Sequence, residues 1–218
     1  MKVIYFDTET TGLNFRYDRI IELAMLTVED GVIKDNYDEF INIGVDLPPK
    51  ITQITGITDE MLITKGVGET TVAEDLKNRL TPGTLMIAHN CQFDLSFVYN
   101  LLKRHYPDEA DEIVSNLNWI DTVTVLKDRK EFPHKLIDAV KHYEIEEVNF
   151  HRAIDDTKAL YDVTQEMKKE RNDLKEYINI FGYNPKWGVS GYRFPFITYK
   201  RQYFTKRMVD QENILPRK

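Results

Sequence analysis

The sequence predicts an α/β fold, a mixed sheet flanked by helices, and three observations lead to it. Three apolar, β-rich runs open the chain in succession. Short apolar runs then alternate with stretches of helical periodicity, and Gly and Pro punctuation separates them at strand and helix lengths.

The first strand is read over residues 2–7, where Val3-Ile4-Tyr5-Phe6 has the β-branched and aromatic bias of a buried strand. The second runs from Arg19 to Val28, Glu29-Asp30-Gly31 supplies a hairpin turn, and residues 32–43 form the third, ending in the alternating Phe40-Ile41-Asn42-Ile43. Pro48-Pro49 breaks regular structure, and Ile51 to Thr58 reads as a turn-rich connector. A helix follows from Thr71 to Leu80, with Val72, Leu76 and Leu80 on one face and Pro82-Gly83 at its end.

Leu85 to Ala88 reads as a short buried strand. It leads through His89-Asn90-Cys91-Gln92-Phe93-Asp94 into a helix that reaches about His105, with Leu95, Val98, Leu101 and Leu102 as its stripe. Trp119 to Leu126 is read as a further strand and Lys135 to Tyr143 as a short helix. A long helix from about Arg152 to Ile180 closes the pattern, with a break near Asn172-Asp173.

The 218 residues suit one domain with a substantial core, and 42% hydrophobic with 11% aromatic residues fits a folded chain. No apolar run approaches the ~20 residues that span a bilayer, and acidic residues from position 7 onward do not fit a secretory leader. Cys91 is the single cysteine, so an intramolecular disulfide and a Cys-based zinc site are excluded. It is expected to be a small buried hydrophobe, and a cytoplasmic location is expected.

Net charge is −7, but it is unevenly spread. Residues 183–218 carry eight basic and two acidic side chains, +6 in all, which leaves −13 on the remainder. Tyr183, Trp187, Tyr192, Phe194, Phe196, Tyr199, Tyr203 and Phe204 are interleaved with those cations. Two units are therefore drawn, a body over 1–182 and a basic aromatic extension over 183–218. The extension either packs its aromatics onto the acidic body or binds a single strand by stacking and phosphate pairing.

The chemistry concentrates in three places. In Asp7-Thr8-Glu9-Thr10-Thr11-Gly12, residues i and i+2 of a strand share a face, so Asp7 and Glu9 project together. Adjacent carboxylates at a sheet edge repel unless something positive lies between them, and a hard divalent cation such as Mg²⁺ or Mn²⁺ suits oxygen ligands. Asp94 follows a strand and opens a helix, at the sheet edge where ligands collect in α/β folds. The third place is His151-Arg152-Ala153-Ile154-Asp155-Asp156. On a continuous helix His151 faces Asp155, only about 40° away, whereas Asp156 is about 140° away. The choice reverses if His151 sits on the loop before the helix and only Asp156 lies within it.

Taken together, DTETTG, HNCQFD and the H-x4-D spacing of His151 and Asp156 resemble the DEDDh 3′–5′ exonucleases of the ribonuclease H-like superfamily. The resemblance runs from about residue 2 to 165, includes the connector ITQITGIT, and is nearest to the epsilon-subunit, proofreading type of DNA polymerase III exonuclease. It implies a mixed five-stranded sheet flanked by helices and selects Asp156 over Asp155. It also implies two divalent ions, Mg²⁺ or Mn²⁺, about 3.5–4 Å apart on Asp7, Glu9, Asp94 and Asp156. Asp7 would bridge them, Asp94 would act through water, and His151 would be the general base. Thr10, Thr11, Gly12, Leu13, His89, Asn90 and Phe93 are the residues it implies for substrate contact, with Leu13 and Phe93 against terminal bases.

The implied reaction removes nucleotides from a 3′ end, single-stranded DNA in the first place, in proofreading or repair. The alternatives are a 3′–5′ exoribonuclease and a non-catalytic nucleic-acid-binding module. Gln211-Glu212-Asn213-Ile214-Leu215 also resembles a short clamp-binding peptide, so a polymerase or sliding-clamp partner is expected alongside nucleic acid, and no membrane.

Overall fold

Alternation along the first strand divides the interior in two. In β1, Lys2–Thr10, Ile4 and Phe6 enter one apolar cluster while Val3 and Tyr5 enter another. The first cluster is closed by α3, Glu69–Arg79, and α4, Cys91–His105, through Val72, Leu76, Leu95, Val98 and Leu101. The second is closed by α7, Leu136–His142, and α8, Ala153–Glu170, through Val140, Leu160, Val163 and Met167. These contacts come from a computed structural model, which describes residues 1–146, 152–203 and 214–215.

Helices on both faces explain why β2, Ile20–Glu29, is buried at every residue but Glu29. It pairs antiparallel with β1 and with β3, Val32–Asn42. The β2–β3 turn has Asp30 at φ 50° and Gly31 at φ 82°, the left-handed pair that a two-residue hairpin needs. β4, Val67–Gly68, β5, Leu85–Ala88, and β6, Asn118–Asp121, complete a six-stranded mixed sheet in the order β4-β3-β2-β1-β5-β6. The five strands expected are joined by the two-residue β4. β1, β5 and β6 are mutually parallel, so their carboxyl ends share one edge.

Two local expectations are corrected. Ile51 to Thr58 lies largely in a helix, α1, Pro49–Thr55, rather than in a connector. Pro49 occupies a first-turn position that lacks an intrahelical acceptor, and Gly56 at φ 72° ends the helix, so both punctuating residues bound the helix instead of excluding it. A second short helix, α2, follows at Asp59–Lys65, capped by Thr58, whose hydroxyl accepts from Met61 N at 3.2 Å. The strand read over Trp119–Leu126 stops at Asp121, and Thr122–Arg129 forms α6. Asp121 is its N-cap: it accepts from Val123 N at 3.1 Å and from Thr124 Oγ1 at 2.7 Å, and this cap outweighs the β-propensity of Thr-Val-Thr-Val. The remaining short helix, α5, is Ala110–Ser115.

α8 ends at Glu170 with Arg171 extended, close to the break expected at Asn172-Asp173. A 3₁₀ turn at Leu174–Tyr177 then leads into β7, Ile180–Tyr183, which crosses residue 182 and pairs parallel with β8, Thr198–Arg201. No helix among the described residues is long and apolar enough to cross a membrane.

Asp121 is the node of this arrangement. Besides capping α6, its Oδ1 accepts from Asn90 N at 2.9 Å and Cys91 N at 3.2 Å, which ties the start of α4 to the end of β6. Removing a buried acceptor strands those donors, so Asp121→Ala is expected to lower stability by about 3 kcal/mol, read as a shifted urea midpoint. A shift within error would show that water replaces the carboxylate.

Candidate active site

The alternation that divides the core also sorts the carboxylates. Asp7 and Glu9 leave β1 on the α8 side, where Asp156 stands in the first turn of α8. Ligand oxygens of Asp7, Glu9 and Asp156 all lie within 4.8 Å of one another. Thr8 points to the opposite face, where its hydroxyl donates to Asp94 Oδ1 of α4 at 2.7 Å. The three motifs therefore meet at the carboxyl end of β1, with Asp94 approaching from the other side of the strand. Asp156, rather than Asp155, joins the cluster among the described residues. His151 lies outside the described residues.

Crowding has an electrostatic cost. Burial lifts the Asp7 carboxyl well above the ordinary range, and Asp94, Asp156, Glu9 and Glu22 reinforce the shift. Burial, followed by Glu22 and Asp156, raises Glu9 to about 7. Asp94 also stands at about 7, raised by burial and held back by the Thr8 hydroxyl. An all-oxygen set that disfavours its own ionisation and opens to solvent on one side suits a hard divalent cation. The residues present fit such an ion.

Two carboxylates outside the motifs hold the site together. Glu22 lies opposite Glu9 in the β1–β2 register and is fully buried. It accepts from Arg152 Nε at 2.9 Å and from Ala153 N at 3.1 Å, so it anchors the start of the helix that bears Asp156. A guanidinium nitrogen of Arg152 lies 2.8 Å from Glu22 Oε1. Asp121 does the same for α4, which bears Asp94. Sequence reasoning passed over both, although Glu22, a lone acid inside Ile20-Ile21-Glu22-Leu23-Ala24, carried a usable signal.

The residues expected to touch substrate are variously engaged. Thr10 Oγ1 donates to Gly12 O at 2.7 Å and Thr11 Oγ1 to Asp18 Oδ1 at 3.2 Å, shaping the loop after β1. A Cβ on Gly12 would lie 2.5 Å from Asp18 Oδ2, so the loop closes tightly there. Leu13 projects into solvent at 87% exposure. Phe93 is half-buried, with its ring centroid 4.8 Å from that of Phe97. Both ring nitrogens of His89 are bound within the protein, to Thr122 Oγ1 and His134 O, each at 2.9 Å. Asn90 takes a left-handed φ of 70° and is exposed. Cys91 is fully buried, as expected.

The RNase T family, described as exonuclease, matches residues 4–164. The chain belongs to this exonuclease family. Membership carries the enzyme class implied by the motifs, a 3′–5′ exonuclease, which is a phosphodiester hydrolase. Relatives include the PolC-type DNA polymerase III of Clostridium perfringens, 31% identical over 183 residues, covering 81% of this chain and 12% of the relative. That of Bacillus cereus is 36% identical over 160 residues, covering 72% of this chain and 10% of the relative. The chain thus spans about a tenth of the length of these relatives. Among solved structures, Escherichia coli exonuclease I in complex with a dA16 oligonucleotide superposes with a TM-score of 0.72 at 22% identity, over 81% of this chain and 42% of that one. Exonuclease I from Methylocaldum szegediense gives a TM-score of 0.69 at 20% identity, over 79% and 41%. At such identity the likeness establishes the ribonuclease H-like fold of the family.

The segment expected to resemble a clamp-binding peptide is described only at its last two residues. Ile214 and Leu215 are buried, and their backbone N–H groups donate to Asp128 Oδ2 at 3.0 and 3.2 Å. Both side chains join the α8-side apolar cluster. Gln211 to Asn213 lie outside the described residues.

Two measurements check this site. With metal chelated, Glu9 keeps a proton up to about 7 in the folded state but releases it near 4.5 when unfolded. Stability is therefore expected to fall as pH rises through that window, and added Mg²⁺ should offset the fall. Thermal melts in EDTA and in Mg²⁺ would show it, and superimposable curves would refute it. Glu22→Ala strands a partly solvated Arg152 and is expected to cost about 2 kcal/mol in urea denaturation, less than a wholly buried pair would.

Proposed function

We propose that this exonuclease is a metal-dependent enzyme that removes nucleotides from the 3′ end of single-stranded DNA, in proofreading or repair. The observation that carries the reading is the convergence of Asp7, Glu9 and Asp156 oxygens within 4.8 Å, with Asp94 held beside them by Thr8. The relatives are named as PolC-type DNA polymerase III, and exonuclease I is named in complex with a dA16 oligonucleotide, which supports a DNA end as substrate.

Asp7, Glu9 and Asp156 would hold one divalent ion, and Asp94, with Asp7, a second. Mg²⁺ or Mn²⁺ supplies charge that polarises the phosphodiester and lowers the pKa of a bound water. The protein's own part is placement. β1 fixes Asp7 and Glu9 on one face, and Glu22 and Asp121 fix the two helix starts that bring Asp156 and Asp94 to them. His151, next to Arg152 in the chain, is the proposed general base, with an unperturbed pKa of ~6.5 suited to taking a proton from water. The water oxygen bonds to phosphorus, the P–O3′ bond breaks, and the products are a nucleoside 5′-monophosphate and a strand one unit shorter with a free 3′-hydroxyl.

Asp7→Ala should reduce Mg²⁺-dependent release of 3′-labelled nucleotides by at least about 10³-fold with the fold intact; wild-type rates would refute the site. His151→Ala should lower kcat about 10²- to 10⁴-fold while Mg²⁺ still shifts the melting temperature. Matched single-stranded DNA, mismatched duplex and RNA, compared in one assay, identify the polymer. Faster cleavage of RNA than of single-stranded DNA would overturn the DNA assignment.

A further inference from the structure

The extension past residue 182 uses its aromatics in two different ways. Phe194 and Ile197 are buried with Phe181 in the α4-side core. Tyr192 stacks on Tyr99 with centroids 5.2 Å apart, Gln92 Nε2 donates to Tyr192 O at 2.6 Å, and Tyr199 Oη donates to Gln92 Oε1 at 2.9 Å. Gly191, at φ 79°, brings the backbone so near α4 that a Cβ would meet Ser96 Oγ at 2.5 Å. This part of the extension is a wall built onto α4. Trp187 is different: it is 73% exposed, with Lys186 Nζ 4.7 Å from its ring centroid.

Between the Trp187 segment and the body lies a cavity of about 160 Å³, bordered by Asn90, Lys127, Tyr183, Trp187 and Tyr199. Its position follows from the sheet. Asn90 caps α4, whose first turn bears Asp94, and Asp121, also on the cavity wall, ends β6. β6 lies two strands from β1, about 10 Å across the sheet, so the Asp121 wall of the cavity stands on the sheet edge that bears Asp7. Residues 183–203 carry Lys186, Arg193, Lys200 and Arg201 and no acidic residue, against an acidic body.

We propose that Trp187 and this cavity hold a base of the single strand behind the 3′-terminal nucleotide, with Lys186 and Arg193 set against its phosphates. The proposal rests on reading the carboxylate cluster as the site that cuts the 3′ end. A large exposed ring beside cations offers a sequence-tolerant stacking surface, which suits an enzyme that must pass every base along the same path. The wall behind it is packed and hydrogen-bonded onto α4, and a surface held in place before binding loses less freedom when a strand arrives.

The two tryptophans make the test direct, because Trp119 is fully buried and Trp187 is exposed. In EDTA, where no cleavage occurs, a long oligothymidylate should quench the exposed tryptophan of the wild-type chain, and Trp187→Ala should lose the response. In Mg²⁺, Trp187→Ala should raise KM for the long strand about tenfold, leaving kcat and the KM of a p-nitrophenyl ester of thymidine 5′-monophosphate, which carries no second base, unchanged. The double variant Lys186→Ala/Arg193→Ala should weaken binding and flatten its salt dependence. Wild-type KM on the long strand with Trp187→Ala, or no quench, overturns the proposal while leaving the nuclease reading intact. If the wild type cuts no polynucleotide, the nuclease reading fails, and the quench in EDTA still decides whether Trp187 meets a strand.

Discussion

Mutual repulsion among half-buried carboxylates is the constraint on which the rest of this structure depends. Asp7 stands among Asp94, Asp156, Glu9 and Glu22, and burial removes the water that would otherwise screen them. Left alone, such a cluster would splay apart or hold its protons. It stays assembled because each carboxylate is carried by an element fixed elsewhere: β1 lies between β2 and β5, and α4 and α8 are clamped by large apolar faces. Apolar packing thus supplies the stability that lets the site remain poised for a cation.

The two helices are aimed by the same device. Each starts against a buried carboxylate that accepts its first backbone N–H groups, Glu22 for α8 and Asp121 for α4. A helix N-terminus carries partial positive charge, so an anion there is favourable on both counts. Because Asp156 and Asp94 lie within the first turn of those helices, fixing the start fixes the ligand. Arg152 adds a cation that pulls the Glu9 carboxyl down, but its guanidinium is paired with Glu22. The cluster is therefore held in shape without being neutralised.

α6 does comparable work for the extension. Thr124 Oγ1 accepts from Gly182 N at 2.8 Å, and Asp128 accepts from Gln202 Nε2 at 3.1 Å and from the backbone of Ile214 and Leu215. A composition-based boundary near 182 marks a change of charge, but β7 runs across it and Phe181, Phe194 and Ile197 share one cluster. The aromatics that looked uniform in sequence divide into those that close the core and those, such as Trp187, that remain outside.

Much of this was legible in the chain itself. The order of strands, the hairpin at Asp30-Gly31, the stripe of α4, the break after α8 and the facing of Asp7 with Glu9 all follow from local periodicity, which depends on neighbours one to four residues away. The motifs with their spacing pointed to Asp94 and Asp156 and to the exonuclease family. α6 was misread because Thr122–Leu126 has strand-forming residues, whereas the carboxylate that starts the helix binds donors from α4 as well as from α6. The sequence by itself determined which side chains could form the site and on which face of β1 they stand. Only the tertiary structure decided how closely Asp156 approaches Asp7 and Glu9, that Glu22 and Asp121 hold the helices in place, and which aromatics of the extension are buried. Those outcomes depend on contacts between residues far apart in the chain, and no local pattern encodes the distance between them.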